Sequence, residues 1–201
     1  MFVLNHVIFS KVSCRCHNDS FIVTYGQLKR RQVMTTKQRM HWVLMICVVG
    51  MCLDQLSKWF AGNYLHGWQM TSYWHDIVRI GYRENAGAFL SLGSELPAPL
   101  RSVLFIGVLA LLLIAILMYT LKSEDLNRNQ ITGLSLVLSG GVSNLIDRIL
   151  NNGAVIDFLN LGIGEVRTGV FNLADVAIML GAVMLIVYTT HNQTIAPQKT
   201  G

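Results

Sequence analysis

The run from Val103 to Leu121, VLFIGVLALLLIAILMYTL, contains no charged side chain. At about 1.5 Å rise per residue, a helix of roughly 20 apolar residues crosses a hydrocarbon core of about 30 Å. In a bilayer, backbone polar groups find no water, so an isolated run of this kind must satisfy them as a helix. A span is therefore predicted over about Leu100–Leu121. The remainder of the chain suits the same solvent: charged residues make up 13% of 201, against about 25% in soluble domains, and the mean hydropathy is +0.45.

Three more apolar runs predict spans at about His41–Ala61, Ile131–Leu150 and Phe171–Tyr188. Lys29, Arg30, Arg31, Lys37 and Arg39 precede the first, and a basic flank of this kind stays on the cytoplasmic side. Four spans then leave both termini inside. Residues 62–99 and 151–170 become outer loops, with 122–130 a short inner turn. Residues 1–40 are expected to be a disordered cytoplasmic extension, 41–190 a four-helix membrane domain and 191–201 a cytoplasmic tail.

The expected fold class is an all-α membrane protein with four transmembrane helices and a small extracytoplasmic β element. The β element comes from Asp76–Tyr82 (DIVRIGY) and from AVIDFLNL, residues 154–161, both of which alternate as strands do. Trp68, Tyr73 and Trp74 suit an interfacial aromatic belt. The net charge is +5, but its clustering before the first span fits an anionic leaflet better than nucleic acid. Cys14, Cys16, Cys47 and Cys52 form neither a zinc pattern nor a disulfide framework, and the histidines are scattered, so no metal or cofactor is expected.

In such a chain the acids carry the information, because a carboxylate at mid-bilayer costs about 2.5–3.5 kcal/mol on insertion scales. Asp54 and Lys58 share one helix face towards the outer end of the first span. They read either as an ion pair that ends the helix or as working groups. Asn144, Asp147 and Arg148 share a face of the third span. A packed network accounts for them, with Asp147 and Arg148 neutralising each other or pairing with Asp54 and Lys58. Ser139, Gly140, Gly141 and Ser143 are small positions of the kind that let helices approach closely. Asp157 lies on the predicted strand. Asp175 lies in the first turn of the last span, three residues after Asn172. An acid there suits the helix N-terminus, although a cap needs neither a second acid nor a neighbouring amide. Asn85, ahead of Ala-Gly, reads as a turn residue or as an amide for backbone or substrate.

Two acids within hydrogen-bonding reach share one proton and titrate as a pair. One can then take a proton from water while the other donates to a carbonyl oxygen, with no metal, thiol or serine triad. On the residues alone Asp54, Asp147, Asp157 and Asp175 all remain candidates for that pair. The rival reading is a small transporter or channel with intramembrane acids. Transport predicts inverted repeats and acids at the midplane, whereas here the acids lie at outer span ends and no repeat is visible.

Five stretches in order on four spans resemble lipoprotein signal peptidase, the bacterial type II signal peptidase. They are Asp54–Lys58 (DQLSK), Asn85–Phe89 (NAGAF), Gly140–Arg148 (GGVSNLIDR), Val155–Phe158 (VIDF) and Phe171–Asp175 (FNLAD), within about residues 41–190. The resemblance implies an inner-membrane aspartyl endopeptidase with Asp157 and Asp175 as its catalytic pair. It implies supporting or substrate-contacting roles for Asp54, Lys58, Asn85, Gly140, Asn144, Asp147, Arg148, Asn172 and Ala174. The implied substrate is a prolipoprotein carrying diacylglycerol on a cysteine, cut just before that cysteine at the periplasmic surface. Membrane lipids are implied partners, and globomycin an inhibitor. One departure is visible: the family usually has glycine before the asparagine of the third stretch, where this chain has Ser143.

Overall fold

Arg39 shows how the first helix is set. The basic flank expected to precede the membrane domain is partly helical, because Thr35 and Gln38 form a capping box: Gln38 N donates to Thr35 Oγ1 at 3.3 Å, and Thr35 N to Gln38 Oε1 at 3.0 Å. Helix α1 therefore runs over Thr36–Tyr64 rather than from His41. Arg39 is 4% exposed and donates to the carbonyl of Thr120 at 3.2 Å and to that of Ser123. Those carbonyls end α2, Ala98–Lys122, and a cation is favoured at a helix C-terminus.

In this computed structural model the described residues are 12–17, 20–25, 34–67, 69–86 and 97–194. The chain divides into two units, Met1–Gln32 and Val33–Gly201. In the first, strands β1 (Val12–His17) and β2 (Ser20–Tyr25) pair antiparallel from Val12↔Tyr25 to His17↔Ser20. Thus 12–17 and 20–25, with Thr36–Met40 of α1, depart from the expected disorder. The rest of residues 1–33, and the tail beyond 194, lie outside the described residues.

The second unit is mostly helical. After α1 come strands β3 (Thr71–Tyr73) and β4 (Val78–Asn85), then α2, α3 (Arg128–Leu150), β5 (Val155–Ile163), β6 (Val166–Arg167) and α4 (Leu173–Thr194). A second capping box, Asn127 with Gln130, starts α3. Among the described residues, two of the four helical segments, Thr36–Tyr64 and Val103–Lys122, are long and apolar enough to cross a membrane. Helix α3 falls short on composition because it carries Ser135, Ser139, Ser143, Asn144 and Asp147, all buried among its neighbours. The apolar core is Val43, Leu113, Leu126, Ile131, Leu134 and Leu138, drawn from α1, α2, α3 and the turn before α3.

Helices α3 and α4 meet backbone to backbone. A Cβ at Gly133 would lie 3.0 Å from the carbonyl of Gly181, and one at Gly140 would collide with the carbonyl of Ala174. Small residues permit this approach, the usual device of membrane helix pairs. It brings the first turn of α4 against the polar half of α3.

The four-stranded antiparallel sheet has the order β3-β4-β5-β6. Val155, Ile156 and Asp157 lie opposite Asn85, Glu84 and Arg83, and a register shift between Ile80 and Arg83 separates this stretch from the rest of the β4–β5 ladder. At the far end Asp76 accepts from Arg79 Nε at 2.7 Å and Nη2 at 2.6 Å, and from Arg167 Nη1 at 3.2 Å. Hydrogen bonds from Arg79 hold the Asp76 carboxyl well below its usual range. Arg79 and Arg167 thus serve one acid and brace the two hairpins. Tyr73 and Trp74 are exposed there, whereas Trp68 lies outside the described residues.

Candidate active site

Lys58 is the hub of a closed cluster. Its Nζ lies 2.5 Å from Asp54 Oδ2, 2.9 Å from Asp147 Oδ2 and 2.9 Å from Asn144 Oδ1. An ammonium has three N–H bonds, and all three are used. Asp54, Lys58 and Asp147 are each no more than 2% exposed. Each acid also holds one backbone N–H elsewhere. Asp54 Oδ1 accepts from Ala174 N at 2.8 Å, in the first turn of α4, and Asp147 Oδ2 accepts from Ile156 N at 3.1 Å on β5. Ala174 precedes Asp175, and Ile156 precedes Asp157. The cluster therefore grips the chain one residue before each of the two remaining acids.

Those two are held by neutral amides. Asn172 Nδ2 donates to Asp157 Oδ1 at 2.7 Å, and Asn85 Nδ2 to Asp157 Oδ2 at 3.0 Å. Asn144 Nδ2 donates to Asp175 Oδ1 at 2.9 Å, and the backbone N–H of Asn172 to Asp175 Oδ2 at 3.1 Å. Asn172 thus touches both carboxylates. It is also the cap of α4: Asp175 N donates back to Asn172 Oδ1 at 2.9 Å, which closes a reciprocal box. Asp175 is therefore a capping acid, and its cap partner Asn172 also binds Asp157. Asp157 is buried and Asp175 half-buried. Burial pushes the Asp157 carboxyl up to about 6. The Asn85 amide opposes this, the charge of Asp175 adds to it, and Asn172 and Lys58 oppose it again. Among the described residues no cation forms an ion pair with either acid.

The residues singled out from sequence converge. Asp54 and Lys58 pair across one turn of α1, and Asp147 joins them rather than Arg148. Arg148 instead donates to its own helix, to Asn144 O at 3.2 Å. Asn85 is the last residue of β4 rather than a turn residue, and its amide donates to the Asp157 carboxylate. Gly140 and Ala174 form the close α3–α4 contact. Gly87, Ala88 and Phe89 lie outside the described residues.

Gln55 is a participant that sequence reasoning misses, and Ser143, expected there as a small packing position, is a hydrogen-bonding one. Gln55 Nε2 donates to Ser143 Oγ at 3.0 Å and Asp147 Oδ1 at 2.8 Å, and Ser143 Oγ donates to Asp54 Oδ2 at 2.7 Å. The available signal was spacing, since Gln55 stands three residues before Lys58 and shares its face. An open apolar groove of about 550 Å³, lined by Phe60, Ala61, Tyr64, Ile80 and Phe158 among others, lies beside the site. None of the acids lines it.

Comparison with known proteins gives this geometry its context. The family described as signal peptidase (SPase) II matches residues 46–191. The lipoprotein signal peptidase of Borreliella burgdorferi is 33% identical over 163 residues, covering 77% of this chain and 94% of that one. That of Borreliella afzelii is 32% identical over 161 residues with the same coverage. A solved bacterial membrane enzyme superposes with a TM-score of 0.68 at 22% identity, over 81% of this chain and 95% of that one, and so shares the fold. The chain belongs to the lipoprotein signal peptidase family, the type II signal peptidases, which are aspartic peptidases of the bacterial membrane.

Proposed function

We propose that Asp157 and Asp175 are the catalytic pair and that they share one proton. The observation that carries this reading is their common partner: Asn172 binds both carboxylates, and among the described residues their hydrogen bonds come from amides and backbone. As a lipoprotein signal peptidase the enzyme processes prolipoproteins. Asp157, with its raised pKa, carries the shared proton. Asp175, the more open of the two, removes a proton from water as the water oxygen attacks the scissile carbonyl carbon. Asp157 donates its proton to the carbonyl oxygen, giving a neutral gem-diol. As the C–N bond breaks, the proton on Asp175 passes to the leaving nitrogen and a diol hydroxyl returns its proton to Asp157. The carboxyl pair ends as it began.

The finer assignments follow the same reading. All four helices cross the inner membrane, with both termini cytoplasmic and the acids at the periplasmic end. The substrate is a prolipoprotein with diacylglycerol on its lipobox cysteine, and the bond cut precedes that cysteine. The lipid stays in the bilayer and holds the scissile bond at the depth of the acids. Globomycin competes for this site. The test is to incubate the reconstituted enzyme with a diacylglyceryl-modified prolipoprotein and to identify the product by mass spectrometry. A product beginning at the lipidated cysteine, blocked by globomycin, is expected. Cleavage elsewhere, or equal cleavage of an unlipidated precursor, would overturn the substrate assignment.

A further inference from the structure

Asp54 and Asp147 are joined twice. One bridge is charged and runs through Lys58. The other is neutral: Ser143 Oγ donates to Asp54 Oδ2 at 2.7 Å, and Gln55 Nε2 donates to Ser143 Oγ at 3.0 Å and to Asp147 Oδ1 at 2.8 Å. The ends of both bridges are the two acids that hold Ala174 N and Ile156 N. Lys58 is a flexible stem with a rotating head, so it fixes charge better than distance. Ser143 is rooted on α3, is 0% exposed and has a one-carbon reach. It therefore ties α1 to α3 at the point from which one path leads to Asp175 and the other to Asp157.

We propose that Ser143 is a positioning residue of the peptidase, its hydroxyl setting the spacing of Asp157 and Asp175 through Asp54, Gln55 and Asp147. The inference rests on the assignment of those two aspartates as the catalytic pair. Ser143 touches neither of them and takes no part in proton transfer.

The physical role is that of a buried water molecule covalently attached to a helix. Asp54 Oδ2 and Gln55 Nε2 supply an acceptor and a donor on either side of the oxygen. Removing the whole hydroxymethyl group, as in Ser143→Gly, leaves room and polar partners for one water, which can restore the bridge. Removing only the oxygen, as in Ser143→Ala, leaves a methyl group in the way and space too small for water. Ser143→Ala thus breaks the neutral bridge, while Ser143→Gly rebuilds it.

This reverses the order that stability alone dictates, because glycine in a helix interior is less stable than alanine. The experiment compares native enzyme, Ser143→Ala and Ser143→Gly, reconstituted in lipid with a diacylglyceryl-modified prolipoprotein. It reads kcat, KM and unfolding temperature. Ser143→Ala is expected to lower kcat about ten-fold with little change in KM, the size of a small misplacement of reacting groups. Ser143→Gly is expected to recover most of that loss despite a lower unfolding temperature. Native kcat in Ser143→Ala, or a kcat for Ser143→Gly no better than for Ser143→Ala, overturns the proposal. Asp157→Asn and Asp175→Asn are run alongside. If either is active, the assignment of the pair fails; if both are inactive and the order of the Ser143 variants is wrong, only the positioning role fails.

Discussion

Four acids sit at one end of this helix bundle, and they fall into two unlike pairs. Asp54 and Asp147 share the ammonium of Lys58, and each also accepts a backbone N–H. Asp157 and Asp175 receive hydrogen bonds only from amides and backbone, with no cation paired to either among the described residues. The first arrangement suits a frame: a buried cluster whose ammonium has all three N–H bonds engaged holds geometry. The second suits the proposed proton transfer, because two carboxyls that share one amide partner and lack a paired cation favour holding one proton between them. In the proposed mechanism the same residue type builds the frame in one place and carries the chemistry in the other, and the partner decides which.

The comparison is broken most severely at the second pair. Asp157→Asn and Asp175→Asn are each expected to lower kcat by at least about 10²–10⁴-fold, the usual yield of general acid–base catalysis, measured as single-turnover cleavage. Their unfolding temperatures should stay close to that of the native enzyme. Lys58→Met should do the opposite in kind. It leaves two buried acids without their cation, and breaking such a cluster costs about 3–5 kcal/mol, read from thermal unfolding in lipid or detergent. Activity in that variant falls with the folded fraction. A stable, inactive Lys58→Met enzyme would move Lys58 into the chemistry and erase the distinction between the pairs.

A smaller effect sharpens the comparison. The Asn85 amide opposes the rise in the Asp157 pKa, which nonetheless reaches about 6. The working form carries one proton, so kcat/KM falls as pH rises through the upper apparent pKa of the pair. Asn85→Ala removes a donor that favours the ionised form, so that alkaline limb should move to higher pH. A limb that moves down, or does not move, would mean that Asn85 does not hold Asp157 in the working enzyme.

Much of this was legible in the residues. The charge-free run of α2 and the spacing of Asp54 and Lys58 gave direct readings, because bilayer thickness and helix pitch are fixed. The strand carrying Asp157 showed in its alternation. Three things did not show. Which of the two partners offered for Asp147 holds, Arg148 or the Asp54–Lys58 pair, depends on how α1 lies against α3. The start of α1 depends on a polar capping box at Thr35, which an apolar count passes over. Spacing puts Gln55 on the face of Lys58, but its meeting with Ser143 at one oxygen depends on how two helices pack.

The most direct test of the shared proton is an infrared titration of the reconstituted enzyme, taken as native minus Asp157→Asn. The account predicts a protonated-carboxyl band in that difference which persists above the ordinary carboxylate range and disappears around pH 6. The same band should be altered in Asp175→Asn, since the proton belongs to both. A difference band already lost by about pH 4, as for an unperturbed aspartate, and unaffected by Asp175→Asn, would show two independent ionised acids and contradict the account.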